Sequence, residues 1–404
     1  MSNTKKKLMF LGGIPYIIPA IEAAHELGYY VITADYLPNN PAHQYADEYV
    51  NVSIIDKGAV LKVAREKQID GILSFAVDPG VTTAAYVAEQ MGLPNVGPYE
   101  SACILQDKKL FRAFLSEHGF NVPAAKGYDS IEAALNDTDW LNWPMIVKPA
   151  DGSGSKGVTK VERIEDYRAA LELAMQKSLG KKIIVEEFIE MSGYQSGSDS
   201  FSIDGELVYC TFDDQRFDSN AINPYTPASH AWPSTMSIDA QQYLHSELQR
   251  LLTLLKMATA LYNIEVRVGK NGKPYIMEVS PRAGGNRLAE LLTLATGSDL
   301  VKASVAAAMG EDVRQYIHPV QYDGFWMVVV LHAEKAGIFR GIKVNDAIKT
   351  NIVRENLNVK SGDVVQGFDC ATNTIGSFFM RFDTKEELDR FIAQQSDYIQ
   401  VLVD

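Results

Sequence analysis

The chain has 404 residues, 46% of them hydrophobic and 22% charged, with 51 acidic against 38 basic residues and a formal net charge of −13. That length exceeds a single hydrophobic core and predicts two to four domains, while the acidic balance argues against nucleic acid or an anionic membrane as a surface partner. Cys103, Cys210 and Cys370 are widely separated with no C-x-x-C pair, and the seven histidines show no H-E-x-x-H spacing, so reduced thiols, a cytoplasmic setting and no zinc site are expected.

Lys5–Lys7 followed by LMFLGGIPYII has the outline of a signal peptide, but prolines and glycines interrupt the apolar run and a regular strand–helix–strand pattern follows it. The longest later apolar run, Phe325–Leu331, is too short to span a bilayer. Lys7–Leu11 reads as a buried strand, GGIPY as a tight turn, Ile17–Leu27 as a helix stopped by Gly28, and Tyr30–Asp35 as the next strand. Helices near Ala59–Lys67 and Val81–Met91 flank a strand at Gly71–Phe75. Residues 1–98 therefore predict an open parallel sheet with helices on both sides. A dinucleotide site there is poorly supported, since GGIPY lacks the third spaced glycine that would accompany Asp35 as a ribose-binding acid.

Tyr99–Gly119 predicts one amphipathic helix, with Leu105, Leu110, Phe111 and Leu115 on the apolar side and Asp107, Lys108 and Arg112 on or beside the solvated one. The first stretch that carries chemistry is Met145–Gly157, MIVKPADGSGSKG. Lys148 closes an apolar strand, and Gly152, Ser153, Gly154, Ser155 and Gly157 follow. Glycines let backbone N–H groups approach an anion and a lysine adds a point charge. In isolation the stretch reads first as a solvent turn, and its lysine precedes the glycines, unlike a Walker loop.

Next come a helix Glu165–Gln176, a strand Lys182–Val185 running into Glu186-Glu187-Phe188-Ile189, and a hairpin of Ser198–Ile203 with Glu206–Phe212 across Asp204-Gly205. Phe217–Ser237 shows no helical or strand period, and its aromatic content suggests a functional loop. A helix Asp239–Leu261 leads to the strands Asn263–Val268 and Pro274–Val279 around a Lys270–Lys273 turn. Ser280-Pro281-Arg282-Ala283-Gly284-Gly285 and a further helix follow. From about Tyr322 strands return, with a last helix at Lys385–Gln394.

In the Asn263–Val279 hairpin, Glu265 and Glu278 sit on adjacent strands and can share a face. Two such carboxylates repel unless a cation lies between them; Mg²⁺ with nucleotide phosphates is one solution, and pairing with Arg267 or Arg282 is the structural alternative.

With Lys108, Lys148, the glycine loop, Glu186–Ile189, Glu265, Glu278 and Arg282 in this order, the chain resembles the ATP-grasp ligases, and within them the L-amino-acid ligases and biotin-carboxylase-like carboxylate–amine ligases. The resemblance implies an α/β and α+β protein: an open parallel-sheet domain at 1–98, a two-lobed ATP-grasp domain with antiparallel sheets at 99–310 whose small mobile lobe spans about 123–188, and a lid domain at 311–404. It implies that Lys108 and Lys148 contact the ATP phosphates, that Gly152–Gly157 close over them, and that Glu186, Glu187, Phe188 and Ile189 hold the adenine. Glu265 and Glu278 would bind Mg²⁺ (or Mn²⁺), and Arg282 would face the transferred phosphoryl group. Two positions depart from the family pattern: Gln195 stands where a ribose-binding glutamate is usual, and Ser280 where the third metal ligand is usually asparagine. The implied reaction joins a small-molecule carboxylate to an amine through an acyl phosphate, with bicarbonate carboxylation or non-catalytic nucleotide binding as alternatives. A homodimer is expected by analogy only. Arg216, His230, Trp232, Asn286 and Arg287 are open candidates for substrate recognition, each with a structural role as the alternative.

Overall fold

The computed structural model describes residues 5–152 and 154–404; Ser153, expected in the phosphate loop, lies outside them. Strands β1 (Lys7–Leu11), β2 (Tyr30–Asp35), β3 (Glu48–Asn51) and β4 (Gly71–Leu73) make a parallel sheet in the order β3-β2-β1-β4, packed by α1 (Ile18–Glu26), α2 (Lys57–Lys67) and α3 (Asp78–Met91). β1 and β2 are covered on both faces, which is why they read as unbroken apolar runs. β3 gave no such signal because none of its four residues is fully buried. α3 starts earlier than its apolar period suggests, at Asp78-Pro79, since a proline in the first turn has no missing bond to make.

The expected single helix over Tyr99–Gly119 is two, α4 (Tyr99–Gln106) and α5 (Lys108–Glu117). Asp107 breaks it by capping α5, its carboxylate accepting from the Lys109 and Leu110 amides. The break rotates the second half: Leu110 is 46% exposed, and Arg112 only 4%.

The small lobe holds β5 (Ala125–Tyr128), α6 (Ile131–Leu135), β6 (Met145–Pro149), β7 (Thr159–Val161), α7 (Ile164–Lys177) and β8 (Ile183–Glu187), with an antiparallel sheet β5-β8-β6-β7 over a core that includes Val147, Tyr167, Leu171 and Val185. There follow β9 (Ser196–Ile203), β10 (Glu206–Cys210), β11 (Asp214–Phe217), β12 (Pro227–Trp232), α8 (Ile238–Leu254), β13 (Ala260–Val268) and β14 (Pro274–Ser280). β10-β9-β13-β14 is the antiparallel sheet that carries the acidic pair. α8 is shorter than expected because Lys256 turns left-handed and the chain enters β13 at Ala260. Leu244, Leu248, Leu251 and Leu252 of α8 are fully buried beneath this sheet, each contributing about 1.5–3 kcal/mol.

After α9 (Leu288–Thr296) and α10 (Leu300–Ala308) come β15 (Phe325–Leu331), β16 (Gly337–Val344), β17 (Ile352–Leu357), β18 (Val364–Val365), β19 (Gly376–Phe382), α11 (Lys385–Ala393), α12 (Gln395–Tyr398) and β20 (Ile399–Val403). The five-stranded sheet β11-β12-β15-β19-β17 runs across the expected domain boundary at 310. The irregular segment expected at Phe217–Ser237 thus contains a central strand. β12 has five of its six residues buried, so it lacks the alternation that marks a half-exposed strand. Among the described residues no single helix is long and apolar enough to cross a membrane.

Candidate functional site

A cleft of about 290 Å³ opens where the small lobe, the acidic sheet and the parallel-sheet domain meet. It gathers Lys108 from α5, Lys148 from β6, Gly152, Gly154 and Ser155 from the loop, Glu186–Ile189 at the end of β8, Gln195, Glu265, Glu278 and Arg282.

On the anion side, Lys108 stands at the start of α5, where its Nζ donates to the Gly152 carbonyl at 2.8 Å and pairs with Glu278 Oε2 at 3.1 Å. Burial opposes its charge, but Glu278, Asp78 and Glu265 outweigh that and hold its pKa above the ordinary lysine value. Gly154, Ser155 and Gly157 all adopt left-handed backbone, which glycine takes freely and serine does not. The loop is tied to the segment before β12: Ser155 Oγ donates to the Tyr225 carbonyl at 2.9 Å, and Asn223 Nδ2 donates to the Ser155 carbonyl at 2.9 Å and the Asp369 carbonyl at 3.0 Å.

Lys148 Nζ lies 3.0 Å from Glu186 Oε2, and Arg112 Nε lies 3.2 Å from Glu186 Oε1. Burial pushes the Lys148 pKa down, with Glu186 opposing and the neighbouring cations Arg112 and Lys108 adding to the effect. Burial would raise the Glu186 carboxyl, yet Arg112 and Lys148 hold it down at about 2. The Glu186 carboxylate, expected at the adenine, is here held between two cations at the edge of the cleft. Glu187 is exposed and accepts from the Ala124 amide at 3.3 Å. The Phe188 amide donates to Pro144 O, and Ile189 packs with Tyr275 and Met277, so 186–189 offer the cleft an apolar wall together with Ile146 and Val158.

Gln195 is likewise committed. Its Nε2 donates to Gln215 Oε1 at 2.7 Å and to Glu265 Oε2 at 3.4 Å, and its Oε1 accepts from Arg267. Gln195, expected at the ribose, lines the cleft and braces Glu265 and Arg267.

Glu265 and Glu278 are direct register partners on β13 and β14. Burial and the Glu278 charge raise the Glu265 pKa, the signature of two carboxylates lacking a full counter-charge. Among the described residues no three His, Cys, Asp or Glu side chains cluster as a complete metal cage, and two carboxylates completed by phosphate oxygens and water suit Mg²⁺. The donor set thus fits the ion. Ser280, expected as a third ligand, donates its hydroxyl to Asp78 Oδ1 at 2.9 Å and accepts from Gln106 Nε2 at 2.6 Å.

Arg282 is held by a residue the sequence gave no reason to choose. Asp78 enters from the parallel-sheet domain and takes Arg282 Nε at 2.7 Å and Nη2 at 2.9 Å. Burial works against ionising Asp78, and Arg282 outweighs it, keeping the carboxyl below its usual range. The turn behind Arg282 is closely packed. A Cβ on Gly284 would fall 2.7 Å from Leu288 Cδ1, 2.8 Å from Asn263 Nδ2 and 2.8 Å from Asp199 Oδ1.

Of the open candidates, Arg287 pairs with Glu290 at 3.1 Å, Arg216 pairs with Asp214 and lies under the Tyr194 ring, and Trp232 is fully buried with its Nε1 donating to Ser198. Each of those three has its polar group engaged by a neighbouring side chain. Asn286 and His230 line the cleft. Sequence reasoning missed Asp78 and Asp213, set Arg112 on or beside a solvated face, and named Arg267 only as a pairing alternative for the acidic hairpin. Arg112 alone left a usable signal, because it stands four residues from Lys108 on one helix face.

A family model described as "ATP-grasp domain" matches residues 141–290. The carbamoyl phosphate synthase large chain of Thermoanaerobacter sp. (strain X514) is 24% identical over 254 residues, 62% of this chain and 22% of that protein. The C-terminal section of the same enzyme chain from Aquifex aeolicus is 23% identical over 306 residues, 75% of this chain and 56% of that protein. The chain thus spans between about a fifth and just over half the length of these curated relatives. Among solved structures, an L-amino acid ligase from Bacillus licheniformis superposes with a TM-score of 0.82 at 19% identity, covering 99% of each chain. Phosphoribosylglycinamide synthetase from Anaerococcus prevotii gives 0.75 at 21%, covering 99% of this chain and 100% of that one. At such identities the likeness establishes a common fold.

Proposed function

We propose, from the match of residues 141–290 to a family model described as an ATP-grasp domain, that the chain is an ATP-dependent carboxylate–amine ligase acting on small molecules in the cytoplasm. The observation that carries this reading is the convergence of Lys108, Lys148 and the paired Glu265 and Glu278 on one cleft. A non-catalytic nucleotide binder has no need of all four.

Lys148 and Lys108 would hold the ATP phosphates, exchanging Glu186 and Gly152 for them as the loop closes. The apolar wall at Ile146, Ile189 and Met277 would receive the base. Glu265 and Glu278 would hold Mg²⁺, or Mn²⁺ in its place, which supplies positive charge to the phosphoryl oxygens. Arg282, fixed by Asp78, would orient the acceptor carboxylate for transfer of the γ-phosphoryl group and then stabilise the oxyanion formed as an amine attacks the acyl phosphate. Loop closure keeps water from that intermediate.

The test is ADP release with ATP, Mg²⁺ and either single amino acids or bicarbonate, for the wild type and for Lys148→Ala and Glu278→Gln. We expect amino-acid-dependent ADP release that both substitutions reduce at least 100-fold. Near-normal release from either variant would sink the assignment, and dependence on bicarbonate alone would favour a carboxylase.

A further inference from the structure

Among the cleft residues without a part in this scheme is a histidine on a buried strand. His230 on β12 is 2% exposed, and its Nδ1 lies 2.7 Å from Oδ2 of Asp213, which is fully buried. The other oxygen of Asp213 accepts from Ser196 Oγ at 2.8 Å and from the Gly197 amide at 2.6 Å. A carboxylate so placed is an acceptor on both oxygens, so the proton between the pair belongs to Nδ1 and the lone pair of the imidazole is on Nε2. Only Nδ1 of this ring is hydrogen-bonded among the described residues.

The ring is also held in place. It stacks against Trp232, with centroids 5.9 Å apart and planes 18° from parallel. Gly197 lies against its edge, the site of a missing Cβ being 3.6 Å from His230 Cε1. Gly197 is the register partner of Glu265, so the imidazole borders the cleft beside the acidic strand rather than facing a closed core.

Amine attack on an acyl phosphate requires a proton acceptor, because an amine is largely ammonium at neutral pH. The charged groups around the acidic pair are committed, and the exposed Glu187 stands at the adenine wall, on the end of β8. Lys108, Lys148 and Arg282 are cations, Glu186 is bound by Lys148 and Arg112, Asp78 is bound by Arg282, and Glu265 and Glu278 form the metal pair.

Resting on the ligase reading above, we infer that the Asp213–His230 pair is the general base of the second half-reaction, with Nε2 taking the proton from the attacking amine. The ammonium first passes one proton to Nε2, which frees the nitrogen lone pair; the lone pair forms the C–N bond, the C–O bond to phosphate breaks with the electron pair leaving on phosphate, and the second proton on nitrogen leaves with that phosphate. Asp213 stabilises the transient imidazolium, which then returns its proton to solvent. Of the charged groups on elements packed around the ring, Asp213 and Asp199 are acidic, and Arg282 is the cation that shares Asp199 with it. Its strand partners Gln215 and Val328 are neutral.

The experiment offers ATP, Mg²⁺ and each of the twenty standard amino acids to the wild type, His230→Gln and Asp213→Asn, with either a second amino acid or hydroxylamine as nucleophile. Hydroxylamine is largely unprotonated at neutral pH and needs no base. A positioned base contributes roughly 10²- to 10⁴-fold, so dipeptide formation by His230→Gln should fall at least 100-fold while hydroxamate formation falls less than threefold. The dipeptide deficit should narrow as pH rises. Hydroxamate also reports that the variant is folded and activates its carboxylate. Equal losses of both products, or an unchanged dipeptide rate, overturn the general base. Absence of hydroxamate from the wild type with every amino acid overturns the ligase reading itself, and the base with it.

Discussion

Replacing Glu186 with glutamine probes the centre of the anion-binding side, because this carboxylate separates Lys148 from Arg112. Its pKa is held at about 2 against an ordinary 4.5, which corresponds to about 3 kcal/mol favouring the ionised form in the folded state. Lys148 moves in the opposite sense, its pKa being lowered by burial and by neighbouring cations. The triad as a whole is therefore worth less than the carboxylate's share. The carboxylate's share is nevertheless what Glu186→Gln removes, since both cations remain. A group whose pKa is depressed on folding stabilises fully above its unfolded value and loses that contribution as pH falls toward the folded one. The wild-type advantage should therefore be about 3 kcal/mol at pH 7 and shrink from about pH 4.5 downward. Urea unfolding followed by tryptophan fluorescence measures this, because Trp140 and Trp143 pack on the small-lobe core beside β6 and β8. Saturating ATP and Mg²⁺ should stabilise the variant more than the wild type, since Lys148 no longer has a competing partner. A loss below about 1 kcal/mol at pH 7, or a deficit that does not change with pH, would refute the reasoning.

Asp78→Asn removes the charge that fixes Arg282, and charge-assisted hydrogen bonds of this kind are worth about 1.5–3 kcal/mol. ADP release should fall about 10- to 100-fold, and a wild-type rate would show that Arg282 needs no orienting partner. Gly284→Ala forces a Cβ to within 2.8 Å of Leu288, Asn263 and Asp199. Overpacking should cost about 1–3 kcal/mol, read as a lower urea midpoint, and an unchanged midpoint would mean that the turn yields easily.

Much of the cleft was legible because its parts are strand-borne and locally patterned. Lys148 ends an alternating strand, and Glu265 and Glu278 flank a short turn that sets their register. What escaped reading was long-range. Asp78 and Arg282 are 204 residues apart, and no local pattern marks an aspartate at a helix start as a partner for a distant arginine. Arg112 was assigned to a solvated face because Asp107 was read as a helix residue, whereas its cap turns the helix and buries the guanidinium. Gln195 and Ser280 were matched to ligand-binding roles by position, and the polar partners that each meets, Gln215 and Asp78 among them, lie too far along the chain to be read locally.

Hydrophobic period and turn chemistry alone determined the parallel sheet at the amino terminus, the glycine loop and the acidic hairpin, because each is specified by residues close in sequence. Tertiary structure decided which charges are free to act. Burial at the junction of three packed units makes an unpaired ion costly, so Glu186, Asp78 and Lys108 each take an opposite charge there, while Glu265 is left beside Glu278, and the distances that settle those pairings exist only in the folded chain. The same packing joined β12 to β15 across the expected boundary and brought His230 to the edge of the cleft. A histidine in what looked like an irregular loop is thereby placed on a rigid strand with Asp213 behind it.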